Sequence, residues 1–410
     1  MDGSGNSAIE TPPAYDGPPD YRVVGRHAMQ PDLRHDDIAR LNFLAHLNRH
    51  LAARVMPGVK KAYDARVEPA FARAHGRKPQ SRHEVRKALL DEPVFQTWSA
   101  LRRNTMEMRQ QAGRWVTLAQ AEDLAARAAA LTAGDERLQL DPRLATPRYL
   151  AAVDHHCMPG SYFAEEIPGD VGGPANYDLG IFATTGGGLG RFNDGGGHAI
   201  VKWVKKHLPD LRPRRILDLG AGLGHNVLPI AQAFPDAEVV AVDAAAPMLR
   251  YGLARAKALG VDNVSFVQGD VADLSQFADG SFDLIHSCMF LHETSFKAMQ
   301  QIFRETNRVL APGGMVLHVE QPQYAADMPV FEQAMRDWDA FYNNEPFWTK
   351  MHELDLDGFM VQAGFPRDTL IHGGVTAVVD AELFPDQAKD DVEDYGRKAA
   401  WHVIGARKPQ

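Results

Sequence analysis

Cysteine is scarce in this sequence, which has only Cys157 and Cys288 among its 410 residues. Two thiols are too few for a disulfide framework or a cysteine zinc site, so the reducing cytoplasm is the expected compartment. Long apolar runs are also missing, since no stretch approaches the roughly 20 residues that a membrane-spanning helix needs. The N-terminal stretch lacks the basic and then apolar pattern of a secretory signal. These absences favour an ordinary globular protein without a membrane span.

An excess of positive charge is absent too, because 53 acidic residues outnumber 44 basic ones and leave a net charge of −9. This balance argues against nucleic acid as a bulk partner. The basic residues nevertheless concentrate between about residues 46 and 114. A local basic face that binds RNA or protein therefore stays open.

The first 158 residues divide into a tail and a helical region. Residues 1–35 are rich in proline, glycine and acids and lack periodicity, which predicts a disordered tail. Apolar residues such as Ile38, Leu41 and Leu44 then recur every three or four positions, which places them on one helix face. Ser81 and Glu84 form a capping box that predicts the start of a further helix. We expect residues 36–158 to form an all-helical domain.

The composition and the periodicity of the sequence change twice after this region. Residues 159–198 are rich in glycine and aromatics without periodicity, which predicts a linker between domains or a lid over a site. Residues 199–410 alternate between strand-like and helical patterns, which predicts a parallel sheet covered on both faces. An aromatic helical stretch at about 323–360 follows the fifth strand, and we interpret it as an insertion on the acceptor side of a binding site.

The first strand of the alternating region ends in ILDLGAGLGHN, residues 216–226. Gly220, Gly222 and Gly224 permit a tight turn in which the backbone approaches a ligand closely. Their spacing misses the G-x-G-x-x-G fingerprint of dinucleotide-binding proteins by one position. Asp218, two residues before the first glycine, would repel a pyrophosphate and attract a cationic group. The turn therefore favours a ligand that is positively charged and carries no phosphate at this end.

Acidic residues also end the next two strands. Asp243 closes VVAVD, where an acid can accept hydrogen bonds from both ribose hydroxyls. Asp270 closes VSFVQGD, a common place for an acid to meet an adenine amino group. Each acid alone is more often a helix N-cap, but three acids at successive strand ends beside a glycine turn favour a nucleoside ligand.

Residues 214 to about 320 resemble the class I S-adenosylmethionine-dependent methyltransferases of the small-molecule type. Besides the turn and VVAVDAA, the matching segments are VQGDVADL, SFDLIHSCMFLHE and RVLAPGGMVLHVE, in family order. The resemblance implies an α/β fold with a Rossmann-like seven-stranded sheet whose last strand is antiparallel, following an N-terminal helical domain. It implies S-adenosyl-L-methionine as the cofactor.

The resemblance also implies which residues bind this cofactor. The methionine part is assigned to Asp218, the turn glycines and Ser287, the ribose to Asp243, and the adenine to Asp270 with Val271. The full set of implied positions is Asp218, Gly220, Ala221, Gly222, Gly224, Asn226, Asp243, Ala244, Met248, Gly269, Asp270, Val271, Ser287 and Cys288.

Two residues after the fourth strand are candidate catalytic groups. His292 and Glu293, in FLHE, stand on the side where the methyl acceptor should lie. A histidine with a pKa near neutrality could remove a hydroxyl proton, although a packing or helix-capping role for His292 is equally open. His286, within the strand itself, is interpreted as a buried structural histidine.

No metal site is expected from the sequence. His155, His156 and Cys157 stand together before the glycine-rich segment and resemble metal ligands superficially. No second pair of ligand-type residues stands at the spacing that zinc sites use.

Aromatic side chains are the candidates for binding the acceptor. Tyr162 and Tyr177 come from the glycine-rich segment, and Trp338 and Tyr342 come from the stretch WDAFYNNEPFW. With His292 they suit an apolar or planar acceptor. Packing of the second stretch against the N-terminal helices is an equally good interpretation.

The sequence thus predicts methyl transfer from S-adenosylmethionine to an O, N or S atom of a small molecule by in-line displacement, yielding S-adenosylhomocysteine. Two alternatives stay open, a methyltransferase acting on RNA or protein and a non-catalytic cofactor-binding scaffold. SCMF stands after the fourth strand in place of the N/D/S-P-P-Y tetrad of amide and adenine methyltransferases. The acceptor and the oligomeric state are left open, and a homodimer through the helical domain is compatible with the sequence.

Overall fold

The N-terminal region is helical in the computed structural model, which describes residues 17–321, 323–324, 327–376, 378 and 400–410. Two π-helical segments, Leu51–Val55 and Tyr63–Val67, connect the first three helices into one continuous helical run. Ser81 caps its helix as predicted, because its hydroxyl accepts the backbone N–H of Glu84 at 3.3 Å. The helices are α1 His35–His50, α2 Met56–Ala62, α3 Glu68–His75, α4 Arg82–Leu89, α5 Pro93–Leu118, α6 Ala121–Thr132 and α7 Arg148–Ala151.

Part of the expected disordered tail is packed. A 3-10 helix spans Tyr21–Val23, and the Tyr21 ring contacts Phe182 edge to face at 5.1 Å between centroids. Tyr21 and Met29 are buried. The prediction of disorder is therefore wrong for residues 17–34, where a few apolar side chains offset the entropy of ordering the chain. Residues 1–16 of the predicted tail lie outside the described residues.

The glycine-rich segment is not one long loop either. It contains α8 Gly172–Thr185, and the next helix, α9 Gly195–His207, begins within it. Ala175, Leu179 and Phe182 of α8 are buried along with most of its other residues. A helix that is buried all round has no polar face, so its sequence lacks the periodicity by which helices are recognised.

The C-terminal region forms one sheet, in the order β1-β4-β3-β2-β5-β6-β8-β7. All neighbouring strands pair in parallel except β8, which runs antiparallel to both β6 and β7. The Rossmann-like α/β fold and the antiparallel last strand are thus confirmed. The strands are β1 Leu138–Gln139, β2 Arg215–Leu219, β3 Glu238–Asp243, β4 Val264–Gln268, β5 Phe282–Cys288, β6 Leu310–Glu320, β7 Leu370–Thr376 and β8 Ala400–Arg407.

The described sheet has eight strands instead of the predicted seven. The additional strand, β1, comes from the region that was expected to be all-helical and pairs in parallel with β4, with Leu138 opposite Phe266. Two residues are too short a strand to show an alternating pattern, so the sequence contains no signal for it.

Helices cover both faces of the sheet and one of its ends. One face packs against α9, α10 and α11, and the other against α12 and α16. The region between β6 and β7 also contains α13, α14 and α15. Apolar residues of α13 and α14 join the core of the N-terminal helices, whereas Met351 of α15 packs in the same core as α12 and α16. These helices are α10 Val227–Ala233, α11 Ala246–Ala258, α12 Phe296–Val309, α13 Val330–Arg336, α14 Trp338–Tyr342, α15 Trp348–Met351 and α16 Leu356–Gln362.

Short 3-10 helices complete the described fold and place side chains near the sheet edge. They are His155–Cys157, Leu291–Glu293 and Arg367–Thr369. Across the described residues, none of the helices is both long enough and apolar enough to cross a bilayer.

Candidate active site

The glycine turn lies at the carboxyl end of β2, where the sheet meets the N-terminal helices. Gly220, Gly222 and Gly224 have φ angles of +71°, +52° and +89°, which residues other than glycine rarely adopt. A Cβ atom at Gly220 would lie 2.1 Å from the Phe290 ring, whereas one at Gly222 would meet no atom within 4 Å. Gly220 is therefore required by its neighbour, and Gly222 keeps a ligand-facing surface open.

Asp243, at the end of β3, forms part of the same surface. Its carboxylate accepts the backbone N–H groups of Gly222 at 2.8 Å and Ala245 at 2.9 Å. Burial raises the pKa of Asp243, although these backbone hydrogen bonds act in the opposite direction. The two hydrogen bonds fix the orientation of the carboxylate, which also lines a cavity at this edge of the sheet.

Asp218 is buried within the sheet and does not line the cavity. Its Oδ1 lies 3.1 Å from Nδ1 of His286 on the neighbouring strand. Burial and the charge of Asp243 raise the pKa of Asp218 well above its usual range, and burial lowers the pKa of His286 to about 3. His286 is thus a buried neutral histidine, in agreement with its interpretation as a structural residue.

Asp270, after β4, is joined to the N-terminal region. Its Oδ1 accepts the backbone N–H of Ala272 at 2.9 Å and the hydroxyl of Tyr149 at 3.1 Å. Tyr149 belongs to α7 and lines the cavity next to Gly269 and Val271. No sequence pattern pointed to Tyr149, because it comes from a helix far from the strands in the chain.

A cavity of about 670 Å³ connects these elements with the helical region. Its volume is within the range of small-molecule sites. Ten of the predicted cofactor positions line it, whereas Asp218, Gly224, Asp270 and Ser287 do not. The ten are Gly220, Ala221, Gly222, Asn226, Asp243, Ala244, Met248, Gly269, Val271 and Cys288.

His292 lies in the cavity wall after β5, as predicted, but its environment is unexpected. Its Nδ1 is 2.7 Å from Oε2 of Glu320, whose Oε1 accepts the backbone N–H groups of Phe290 and Leu291. Burial lowers the pKa of His292, but the Glu320 charge and hydrogen bond outweigh it and raise the pKa to about 9. The contact with Glu320 thus distinguishes His292 from the near-neutral base that the sequence suggested.

Glu293 is the other predicted catalytic residue, and it also lines the cavity. Its Oε1 accepts the hydroxyl of Tyr162 at 3.0 Å and lies 3.3 Å from Nε2 of His156. Burial raises the pKa of Glu293, but the contact with His156 and the nearby histidine charges outweigh it and lower the pKa below its usual range. Glu293 is therefore a buried carboxylate in the cavity wall beside His156 and Tyr162.

Two of the predicted acceptor residues lie elsewhere. The indole N–H of Trp338 donates to Ser99 at 2.8 Å, and its ring packs against Trp98 and Tyr342. Trp338 and Tyr342 therefore attach the insertion to the N-terminal helices, which was the alternative interpretation of this stretch. Tyr162, Tyr177 and His292 do line the cavity, and the insertion contributes Asp339, Asn343, Trp348 and His352 to it instead.

The sequence gives no indication of a buried arginine in this wall. Arg109 of α5 is 4% exposed, lines the cavity, and lies over the Tyr177 ring at 5.4 Å from its centroid. Within the part of the chain that the structure describes, no carboxylate pairs with its guanidinium, and burial lowers the pKa of Arg109. Its position depends on Gly180 of α8, where a Cβ atom would lie 2.3 Å from Arg109 Nε.

The chain is similar to known methyltransferases. A family model described as a methyltransferase domain matches residues 216–314. An uncharacterized methyltransferase of Synechocystis is 31% identical over 195 residues, which are 47% of this chain and 87% of that protein. The demethylmenaquinone methyltransferase of Thermus thermophilus is 38% identical over 127 residues, 30% of this chain and 56% of that protein. This chain thus spans little more than half of the second relative.

A solved structure, the YcgJ protein of Bacillus subtilis, aligns with 52% of this chain and 99% of its own, at 21% identity and a TM-score of 0.36.

Proposed function

Because the chain belongs to the class I S-adenosylmethionine-dependent methyltransferases, we propose that it methylates an O, N or S atom of a small molecule that carries an anionic group. The observation that supports this acceptor is the buried guanidinium of Arg109 at the wall of the cavity. A buried cation without a partner is costly, and an anionic group of the ligand would offset that cost.

The cavity residues fit S-adenosylmethionine. Gly222 leaves open space in front of the turn, and the Asp243 carboxylate is oriented by two backbone N–H groups. When bound, S-adenosylmethionine supplies a methyl group activated by its sulfonium. We assign the methionine part to the turn, the ribose to Asp243, and the adenine to Val271 with the Tyr149–Asp270 pair. Asp218, Gly224 and Ser287, which do not line the cavity, would act by supporting this wall.

The acceptor would lie between Tyr162, Tyr177 and the pair His292–Glu293. The rings of Tyr162 and Tyr177 are 5.8 Å apart and provide an apolar surface. Glu320 holds His292, and Tyr162 holds Glu293, so both side chains have fixed orientations. Alignment of the acceptor atom with the activated methyl group and exclusion of water then supply most of the rate enhancement.

Formation of S-adenosylhomocysteine tests the anionic acceptor. The protein would be assayed against pairs of small molecules that differ only in having a carboxylate or its neutral amide. We expect turnover with the acids, and a loss of at least tenfold in kcat/KM in Arg109→Met, because the charge-assisted hydrogen bonds are removed. Binding of S-adenosylmethionine should not change in this variant.

Arg143→Met is a matched control, since Arg143 is an exposed arginine outside the cavity. Equal turnover of acids and amides by the unmodified protein, or equal loss in Arg143→Met, would contradict the proposal.

Two further expectations extend the proposal to the whole protein. We propose a cytoplasmic location, since only two cysteines are present and both are free.

We also propose a homodimer through the helical region, which exposes the aromatic side chains of Phe43 and Trp115. Light scattering of the purified chain would decide its oligomeric state.

A further inference from the structure

Three histidines and two glutamates meet at the acceptor end of the cavity. This group, called the His–Glu cluster below, consists of His155, His156, His292, Glu293 and Glu345. One nitrogen of His156 and one carboxylate oxygen each of Glu293 and Glu345 lie within 4.8 Å of one another. The members come from three separate places, namely the 3-10 helices His155–Cys157 and Leu291–Glu293 and the turn before α15.

In two of the histidines, a polar side chain outside the cluster lies within hydrogen-bond distance of Nδ1, while Nε2 faces Glu293. His292 has its Nδ1 held by Glu320, and its Nε2 lies 3.8 Å from Oε1 of Glu293. His155 has its Nδ1 3.0 Å from Oγ of Ser161, and its Nε2 lies 3.4 Å from Oε2 of Glu293. Metal-binding histidines have this arrangement, in which one ring nitrogen is fixed by a carboxylate or another polar group and the other faces the ion.

Three of the four carboxylate oxygens of the cluster have no hydrogen-bond partner among the described residues, whereas Oε1 of Glu293 accepts the Tyr162 hydroxyl. Glu345 is fully buried, and within the described ranges neither of its oxygens has a hydrogen-bond partner, although Oε1 is 2.7 Å from Nδ1 of His156. Oε2 of Glu293 and Nε2 of His155 are buried without hydrogen bonds as well. Buried polar atoms are normally hydrogen-bonded, and buried charges are paired or coordinate metals. Glu320, in contrast, is fully hydrogen-bonded and acts as a positioning residue.

We propose that the His–Glu cluster binds one divalent first-row transition-metal ion. Imidazole nitrogen and carboxylate oxygen are ligands that Zn²⁺, Fe²⁺ and Co²⁺ accept at about 2.1 Å. Ligand atoms around such an ion lie about 3 to 4 Å apart, so small side-chain movements bring His156, Glu293 and Glu345 into coordination. His155 and His292 are placed to complete the ligand set.

The site would be accessible from the cavity, because His156, His292 and Glu293 line it. Coordination of an acceptor oxygen at a free position of the ion would orient the acceptor and favour its deprotonated form. That role rests on the proposed methyl transfer, whereas binding of the ion itself does not.

Titration of the tag-free full-length chain with Co²⁺ alone and Zn²⁺ alone tests the site, after metal is removed with a chelator. Calorimetry gives the stoichiometry, and the visible absorption of Co²⁺ reports nitrogen and oxygen coordination. We expect one ion per chain and at least tenfold weaker binding in Glu345→Gln and in Glu293→Gln. Glu320→Gln should weaken binding as well, because it releases His292.

Glu136→Gln is the matched control, since Glu136 is exposed and does not line the cavity. Circular dichroism shows whether each variant is folded, and the two cluster variants together with Glu320→Gln make the outcome independent of any one of them. Absence of stoichiometric Co²⁺ and Zn²⁺ binding, or equal affinity in folded cluster variants and in the control, overturns the site. An ammonium group of the acceptor between Glu293 and Glu345 would then account for the cluster.

The measurement contains neither methyl donor nor acceptor, so its failure leaves the proposed methyl transfer intact. Conversely, if the unmodified chain binds Co²⁺ but does not bind S-adenosylmethionine, the proposed methyl transfer is overturned and the metal site is not.

Discussion

At the scale of single residues, the acidic and glycine pattern at the strand ends is divided, since Asp243, Gly220 and Gly222 line the cavity whereas Asp218, Gly224 and Asp270 do not. Asp243 is placed as expected, because β3 ends there and the next residues turn into α11. Its contacts are local in sequence or come from the adjacent turn. A pattern whose geometry depends on neighbouring residues can be read from the sequence.

Asp243→Ala should weaken S-adenosylmethionine binding by more than tenfold, about 1.4 kcal/mol, because both the ribose contact and the fixed Gly222 N–H are lost. Calorimetric titration measures the affinity. Asp236→Ala, which removes an exposed acid before β3, provides the comparison and should bind as the unmodified chain does. Unchanged affinity in Asp243→Ala would rule out the assigned ribose contact.

At the scale of secondary-structure elements, the strands were easier to predict than the buried helix α8. The helix contacts α5 closely because glycines remove the side chains between them. A Cβ atom at Gly113 of α5 would lie 1.9 Å from the Asn176 side chain, and Gly180 of α8 faces Arg109 in the same way. The glycine content that suggested a loop is a requirement of tight helix packing.

Gly180→Ala should destabilise the protein by about 1 to 3 kcal/mol, because the added methyl overpacks the contact with Arg109. It should also raise KM for the acceptor, since Arg109 must move. Gly173→Ala in the same helix should be neutral or slightly stabilising, because its Cβ would meet no atom within 4 Å. Urea unfolding of both variants measures the difference, and equal stabilities would show that α8 can accommodate the methyl group.

At the scale of the whole molecule, the insertion between β6 and β7 joins the helical region to the sheet. Arg82 at the start of α4 forms ion pairs with Asp337 and Glu353, and Asp337 also accepts the Tyr324 hydroxyl. Arg82 and Asp337 are both buried. The two regions therefore share a core and a buried charge pair, which is why the cavity has walls from both.

Arg82→Met should lower the free energy of unfolding by about 3 kcal/mol, because Asp337 keeps a buried charge without its main partner. The double variant Arg82→Met with Asp337→Leu should be more stable than the single one, since no buried charge is left. Urea unfolding followed by tryptophan fluorescence and by circular dichroism measures both. A double variant that is no more stable than Arg82→Met would show that burial of Asp337 is not the cause.

The sequence by itself determined the fold of the C-terminal region, the family and the cofactor. Those properties depend on residues that are near one another along the chain, such as the turn at 216–226 and the acids at the strand ends, so short-range patterns are sufficient.

Only the tertiary structure decided the composition of the acceptor end. Arg109 of α5 and Glu345 of the insertion stand in no recognisable sequence pattern, and they lie beside His156 and Glu293 of two 3-10 helices, which the sequence marked only separately. Their burial, and the contacts of His156 with both glutamates, arise where the helical region packs on the sheet. The chemistry of that end depends on electrostatic interactions between distant segments, which no local pattern contains.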